Sequence, residues 1–313
     1  MKEVALEIVR FTRKHSHAGF LISLGLLLVG LIAFNFTYDF EDSVIDSYTG
    51  SWLKGLWMFL YNGGPYLIAG LLLTVFGLQT DWYKKSGFWL HFVLGFAILA
   101  FDRSWYLWSY LHDQFHPAEV RFMYKIISSG KSLISAVLPL MLVYLILERS
   151  GKKEFYGLHL KHFPYSTYFG ILGVALVFIF IGGFFGDIQE YYPRYLNSGG
   201  KVFAAHRSMD EAWAVTLYEF FYGLDFISTE LFFRGFLILG MYKYFGPYVV
   251  YPMIVSYCVL HFGKPMTEAI SSIFGGYILG IIALHHRNIW GGVIIHVGVA
   301  WGMEVIGYLH RVI

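Results

Sequence analysis

The chain has 313 residues, of which 57% are hydrophobic and 20% aromatic, whereas only 14% are charged. About a quarter of the residues in a soluble domain are charged. This chain therefore has too little polar surface to cover its apolar volume in water. Lipid removes the need for a polar exterior. The composition therefore predicts an all-α, polytopic integral membrane protein and excludes a water-soluble globule.

The formal net charge is +2 and the chain contains a single cysteine, Cys258. Lysine and arginine occur in short clusters between apolar runs, a distribution that argues against nucleic acid as a partner. One cysteine cannot form a disulfide within the chain or a site with several thiolate ligands. We therefore expect membrane lipid as the surroundings, and neither a metal nor a cofactor.

The first apolar run, 18–36, follows an amphipathic, basic segment at 1–17. No small-residue cleavage pattern comes after the run, so the sequence predicts a retained first helix in place of a removed signal peptide. A helix needs about 20 residues to cross the hydrocarbon core. On that length the sequence predicts eight to nine spans, at 18–36, 56–78, 88–108, 132–147, 167–186, 212–226 running on into 227–245, 248–262, 269–285 and 289–309.

Basic and acidic connections alternate along the first half of the chain. Segments 10–14, 84–85 and 149–153 are basic, whereas 39–46 is acidic. The positive-inside rule then predicts a cytoplasmic N-terminus, with the connection 187–210 on the outside. We expect the membrane to be a cell inner (plasma) membrane. The polar stretch 150–164 divides N-terminal membrane helices, 1–162, from a C-terminal core, 163–313, within one continuous membrane domain.

Ionisable groups inside the predicted spans are concentrated in the C-terminal core. Glu230 and Arg234 stand four residues apart on one helical face, where an ion pair explains both without any catalysis. His261 and His296 lie in apolar surroundings on two later helices. A lone histidine there is more often a packing residue, but three polar sites on consecutive helices favour one cavity in which a carboxylate and two imidazoles handle a water.

The spacing of these residues resembles the CAAX-protease and bacteriocin-processing (CPBP) family of intramembrane glutamic endopeptidases. The motifs of that family are Glu-Glu-x-x-x-Arg, Phe-x-x-x-His and His-x-x-x-Asn or Asp. Here the chain reads Thr229-Glu230-x-x-x-Arg234, Tyr257-x-x-x-His261 and His296-x-x-x-Ala300. Order and spacing match over roughly 163–309, and three spaced motifs are more specific than one.

The resemblance implies a conical cavity in the helical core and metal-independent hydrolysis of a membrane-associated peptide or protein. In the family, the leading glutamate and the histidine of the second motif activate a water, and the third motif stabilises the oxyanion. The expected catalytic residues are therefore Glu230, His261 and His296. Arg234 would hold Glu230, and we place Thr229 and Glu268 as further supporting residues.

Two positions depart from the family pattern. Thr229 replaces the leading glutamate, and a hydroxyl is not a general base near neutral pH. Ala300 replaces the oxyanion donor, whose loss typically costs about 100- to 1000-fold in rate. Asp225, Glu268 and Glu304 are alternative carboxylates, of which we favour Glu268 because the break at Lys264-Pro265 can turn the chain towards the cavity.

The same departures support a second hypothesis, a proteolytically inactive relative that binds or presents a membrane partner. Other protease classes fit the sequence poorly, since it contains neither His-Glu-x-x-His nor Gly-x-Ser-Gly. The sequence alone leaves both the protease and the inactive relative open.

Overall fold

The computed structural model describes residues 2–148, 154–159 and 164–312. These residues are helical or irregular and contain no strand, which confirms the all-α class. The basic connection 149–153, most of the polar stretch 150–164 and the boundary between 162 and 163 lie outside the described residues. The division into 1–162 and 163–313 therefore stays a prediction.

Ten α-helices of 10 residues or more account for most of the described chain. In chain order they are α1 (Lys2–His15), α2 (Ala18–Tyr38), α3 (Trp52–Val75), α4 (Ser86–Ser104), α5 (Pro117–Leu147), α6 (Tyr165–Gly182), α7 (Glu211–Glu230), α8 (Val250–Val259), α9 (Met266–His286) and α10 (Trp290–Val312). A π-helical turn, Leu133–Val137, lies within α5, and α7 continues directly into a π-helix, Leu231–Gly240. Short helices at Trp108–Leu111, Gly186–Tyr191, Gly200–His206 and Tyr242–Phe245 form parts of the connections.

Six of the described helices, α2, α3, α5, α6, α9 and α10, are long and apolar enough to cross a membrane. The chain is thus a multi-pass membrane protein, but the predicted eight to nine spans are not confirmed. The remaining predicted spans are helical and differ in length or polarity. Helix α8 has 10 residues, which is only about 15 Å at 1.5 Å per residue. Helix α4 ends in Asp102 and Arg103, and α7 carries several carboxylates.

The buried core joins the N-terminal helices to the C-terminal ones. Phe20, Tyr66 and Phe96 belong to the same buried cluster as Phe236 of the π-helix and Val255 of α8. All ten residues of α8 are buried, and the helix packs against α3, α9 and the π-helix. Burial of large aromatic side chains is a major source of packing energy. Helix α8 is therefore fixed on several sides, and His261 follows at its end.

The C-terminal part of α2 is hydrogen-bonded to the turn that contains His261. Asn35 donates from its side-chain amide to the carbonyl of Phe262 at 3.3 Å. Its amide oxygen accepts from the hydroxyl of Tyr61 at 2.5 Å and from the backbone N–H of Glu41 at 3.1 Å. The Glu41 carboxylate lies beside Gly263. Residues of the N-terminal helices thus hold the backbone next to His261.

Burial raises the pKa of Glu41 to about 7 from an ordinary value of 4.5, with Arg103 and Lys54 opposing the shift and Asp42 and Asp46 adding to it. Between those two pH values the folded protein binds more protons than the unfolded chain, so the free energy of unfolding falls as the pH rises. Replacing the carboxyl by a neutral amide should remove that loss. We expect Glu41→Gln to raise the thermal unfolding midpoint in detergent more at pH 8 than at pH 5.

The control for this measurement is Glu3→Gln, which changes an exposed carboxylate in the first turn of α1. It should leave the midpoint unchanged at both pH values. A Glu41→Gln effect of equal size at pH 5 and pH 8 would contradict the assignment of the buried, proton-binding carboxyl.

Candidate active site

The first element of the site is an ion pair at the junction between α7 and the π-helix. Glu230 ends α7, and Arg234 lies in the π-helix that follows. Both side chains are completely buried, with Arg234 Nη1 at 2.9 Å from Glu230 Oε1. A buried charge that lacks a partner is strongly destabilising. Each of these two residues therefore needs the other in the apolar core.

Glu230 also binds the histidine of the third motif, on α10. His296 Nδ1 lies 3.0 Å from the same Oε1 atom that contacts Arg234. A neutral imidazole that donates from Nδ1 keeps an unprotonated Nε2, and His296 Nε2 lies 3.5 Å from the hydroxyl of Tyr257. The Glu230 carboxylate thus joins α7 to α10 and orients the imidazole towards Tyr257.

Gly292 leaves the space that Glu230 occupies. A Cβ atom at position 292 would lie 2.0 Å from Glu230 Oε2, far inside van der Waals contact. Only a glycine at this point of α10 lets the carboxylate approach closely enough to meet His296 one turn further along the helix.

His261 is oriented by the backbone of α8, the helix that precedes it. Its Nδ1 lies 2.8 Å from the carbonyl of Tyr257 and donates to it, which leaves Nε2 as an acceptor. The Tyr257 ring packs against the imidazole at a centroid distance of 4.6 Å. The guanidinium of Arg234 lies 4.2 Å from the centre of that same ring. Tyr257 therefore contacts both histidines and the buried cation.

The two histidines line one cavity of about 500 Å³. Its remaining lining is mainly apolar and comes largely from α6, α9 and α10. Phe178 of α6 and Phe274 of α9, both in this lining, are 69% and 66% exposed. Because those helices are apolar enough to cross a membrane, the cavity opens towards lipid and suits a hydrophobic ligand segment. We call it the histidine cavity.

Glu268 supplies the carboxylate of the histidine cavity. Among the described residues it is the only acidic side chain in the lining. It lies in the first turn of α9, where the helix dipole favours a negative charge, and its Oε2 is 3.1 Å from Lys264 Nζ. The phenol groups of Tyr192 and Tyr222 interact with the same carboxylate. Glu268 thus lies on the cavity side of the histidines.

Glu230 differs from Glu268 in this respect, because its carboxylate is buried behind His296. Within the described part of the chain, no hydrogen bond or ion pair joins Glu230 to His261. The structure therefore brings Glu230, Arg234 and His296 into direct contact. His261 belongs to the same group only through Tyr257.

Three other candidates from the sequence lie elsewhere. Thr229 and Asp225 line a separate polar cavity on the other side of α7. Glu304 accepts hydrogen bonds from the backbone N–H groups of Arg194 and Tyr195, at 2.7 and 3.0 Å. That carboxylate holds the connection before α7 against α10. Ala300 does line the histidine cavity, where its methyl group offers no hydrogen-bond donor.

The sequence reasoning missed Tyr192 and the hydroxyl of Tyr257. Tyr257 was visible as the first residue of the second motif, where a tyrosine replaces the phenylalanine of the family. Tyr192 belongs to the connection 187–210, and no sequence pattern linked that connection to the motifs. Among the described residues, no group of three or more histidine, cysteine, aspartate or glutamate side chains lies close enough together to hold a metal ion.

A carboxylate and two histidines at one cavity of a helical membrane core can together bind and activate a water. Residues 211–302 match the family model described as type II CAAX prenyl endopeptidase Rce1-like. This match contains all three motifs and confirms their resemblance to the CPBP/CAAX protease family. No curated protein and no solved structure matches the chain.

The close approach at Gly292 yields a test of the Glu230–His296 contact. A methyl group at position 292 must push the Glu230 carboxylate away from His296, and overpacking of a tight site costs about 1–3 kcal/mol. We expect Gly292→Ala to lower the thermal unfolding midpoint in detergent. The matched control is Gly173→Ala in α6, where a Cβ atom meets nothing within 4 Å.

For Gly173→Ala the midpoint should stay the same or rise, because alanine favours a helix over glycine by about 0.5–1 kcal/mol. If both variants behave alike, the tight contact between Gly292 and Glu230 is not present.

Proposed function

We propose that the protein is an intramembrane endopeptidase that hydrolyses a membrane-associated peptide or protein without a metal. One observation carries the proposal. His261, in the turn after α8, and His296, in α10, line a single lipid-facing cavity together with Glu268. The family match over 211–302 supports the same reaction class.

In the proposed reaction His261 acts as general base. Its Nδ1 is engaged by the Tyr257 carbonyl at 2.8 Å, so Nε2 carries the lone pair that accepts a proton from water. The water oxygen bonds to the scissile carbonyl carbon while its proton passes to His261. When the carbon–nitrogen bond breaks, His261 returns the proton to the leaving amine. Glu268 orients the water from the same cavity.

This assignment changes the role that the sequence suggested for Glu230. Its carboxylate is completely buried and is shared by Arg234 at 2.9 Å and His296 at 3.0 Å, which leaves it poorly placed to meet a substrate water. Glu230 is therefore a positioning residue that holds the His296 imidazole, and Arg234 balances its charge.

Oxyanion stabilisation falls to His296 and Tyr257. Ala300 cannot donate a hydrogen bond, but the tyrosine at position 257 provides a hydroxyl that the phenylalanine of the family motif lacks. That hydroxyl lies 3.5 Å from His296 Nε2, which is long for a hydrogen bond. The phenol can therefore turn to donate to a carbonyl oxygen in the cavity. The tyrosine at 257 thus compensates for the alanine at 300.

We place this reaction in a bacterial inner membrane, with the N-terminus in the cytoplasm. In addition to the six apolar helices, α4 and the combined segment of α7 with its π-helix would cross the membrane, which makes eight spans. Helix α4 has 19 residues, about 28 Å at 1.5 Å per residue. Helix α7 and its π-helical continuation have 20 and 10 residues. The ionic groups of these two segments, Asp102, Glu230 and Arg234, are buried inside the protein. Ionisable groups in membrane helices typically face the protein interior in this way.

The reaction can be tested with purified protein in lipid nanodiscs and a library of peptides that contain hydrophobic membrane segments. Loss of a positioned acid–base group typically lowers the rate by about 100- to 10,000-fold. We therefore expect His261→Ala and His296→Ala each to reduce cleavage by at least about 100-fold. The matched control, His112→Ala, removes a half-exposed histidine that pairs with neighbouring Asp113 and lines neither cavity, and it should cleave at the wild-type rate.

Retained cleavage in both cavity variants would exclude the proposed reaction. The inactive-relative hypothesis draws its support from Thr229, which lies outside the histidine cavity, and from the double pairing of Glu230. It predicts no cleavage of any library member, together with peptide binding that His261→Ala weakens. Turnover by the wild-type protein would rule it out.

The proposed donor at position 257 has its own test. Removal of one oxyanion donor costs about 100- to 1000-fold in kcat, so Tyr257→Phe should lower kcat by that factor and leave the thermal midpoint nearly unchanged. Tyr66→Phe is the matched control, because the Tyr66 hydroxyl is buried without a hydrogen-bond partner among the described residues. Wild-type kcat in Tyr257→Phe would assign the oxyanion to His296 alone.

A further inference from the structure

A second cavity, of about 290 Å³, lies on the other side of α7 from the histidine cavity. We call it the polar funnel. Its charged lining combines three carboxylates and three cations, from Asp46, Lys54, Asp102, Arg103, Lys131 and Asp225. Most of these side chains belong to the N-terminal helices and lie outside the segment 211–302 that matches the protease family.

The polar funnel runs from exposed residues to a buried floor. Asp46, Thr49 and Arg103 are exposed at its mouth, whereas Ser132 and Ser228 are buried at its floor. Ser228 is 3% exposed, and its hydroxyl has no hydrogen-bond partner among the described residues. A polar cavity of this size has room for several waters, which bind to buried polar groups that lack protein partners.

Ionic and hydrogen-bonded contacts fix the walls of the polar funnel. Lys131 Nζ donates to the backbone carbonyls of Asp102 at 2.6 Å and Trp105 at 2.9 Å. The Ser135 hydroxyl donates to the Asp102 carboxylate, and Lys54 Nζ lies 2.9 Å from Asp46 at the mouth. Ionisable groups at membrane depth typically face one another or a water-filled cavity. These walls therefore suit water, and they do not suit lipid.

The floor of the polar funnel is one side-chain layer from the proposed active site. Thr229 and Leu260 line the floor. Thr229 directly precedes Glu230 in the chain, and Leu260 directly precedes His261. Phe233 also lines the floor, and its ring lies 5.0 Å from the ring of Tyr257, which lines the histidine cavity. Water at the floor is thus separated from the histidines by these aromatic rings.

The histidine cavity itself is mostly apolar and opens to lipid, yet every hydrolysed peptide bond consumes one water molecule. We propose that the polar funnel is the water path of the enzyme. Water enters at the membrane face that carries Asp46 and Thr49, collects at Thr229, and passes Phe233 and Tyr257 to reach His261. This inference rests on the proposed function, because only a hydrolase needs such a supply.

Cysteine labelling tests for water at the floor without any assay of proteolysis. Cys258, the single cysteine, is buried, so Cys258→Ala gives a thiol-free background. In sealed vesicles, a membrane-impermeant, positively charged methanethiosulfonate should label Thr229→Cys from the side that labels Ser47→Cys. Ser16→Cys, before the opposite end of α2, reports the other side. Ser256→Cys, which is completely buried and lines neither cavity, should stay unlabelled.

The label also serves as a reversible plug. Labelled Thr229→Cys should show at least a tenfold lower kcat with little change in KM, because the substrate enters through the other cavity. Reduction with dithiothreitol should restore cleavage. Labelled Ser47→Cys, outside the polar funnel, should cleave as before.

Each result bears on a different part of the inference. Absence of labelling at Thr229→Cys, or labelling from the Ser16→Cys side, overturns the polar funnel as a water path from the proposed face. Labelling with undiminished cleavage overturns its role in supply. If the wild-type protein cleaves no peptide, the proposed function fails and the supply role with it, whereas labelling still reports whether the floor holds water.

Discussion

The site depends on one interaction, the contact of the Glu230 carboxylate with both Arg234 and His296. This carboxylate is completely buried. Removing one partner of a buried ion pair costs about 3–5 kcal/mol, so this contact constrains three helical segments at once. It sets the tautomer of His296 and requires a glycine at position 292. Arg234 in turn lies against the ring of Tyr257, which carries the constraint on to the second histidine.

Much of this arrangement was predictable from sequence. The apolar composition gave the all-α membrane class, and four-residue spacing indicated the pair of Glu230 and Arg234. Motif order indicated that His261 and His296 come together. The preference for Glu268 over Asp225 and Glu304 rested on the break at 264–265, and Glu268 does line the histidine cavity. Its role in catalysis stays a prediction.

The remaining features depend on three-dimensional contacts that no local pattern encodes. Helical spacing places Glu230 beside Arg234, but it cannot show that the same oxygen meets His296, 66 residues later. The predicted number of membrane spans rested on the length of apolar runs. Helix α8 is apolar but has only 10 residues, all of them buried inside the protein. No sequence pattern predicted the polar funnel, because its walls come from α3, α4, α5 and α7. Each of these helices contributes only one or two charged side chains to the lining.

The hydrogen bond between Asn35 and Phe262 determines how far segment 211–302 can be separated from the rest of the chain. Residues 211–302 carry all three motifs, yet the backbone beside His261 accepts a hydrogen bond from the Asn35 amide of α2. That amide is itself held by the Tyr61 hydroxyl of α3. A transplant of that segment onto a foreign helical scaffold would bring the motif residues without the groups that orient them. The N-terminal helices are therefore part of the structural unit that holds the motifs, and they limit how far this core can be exchanged between proteins.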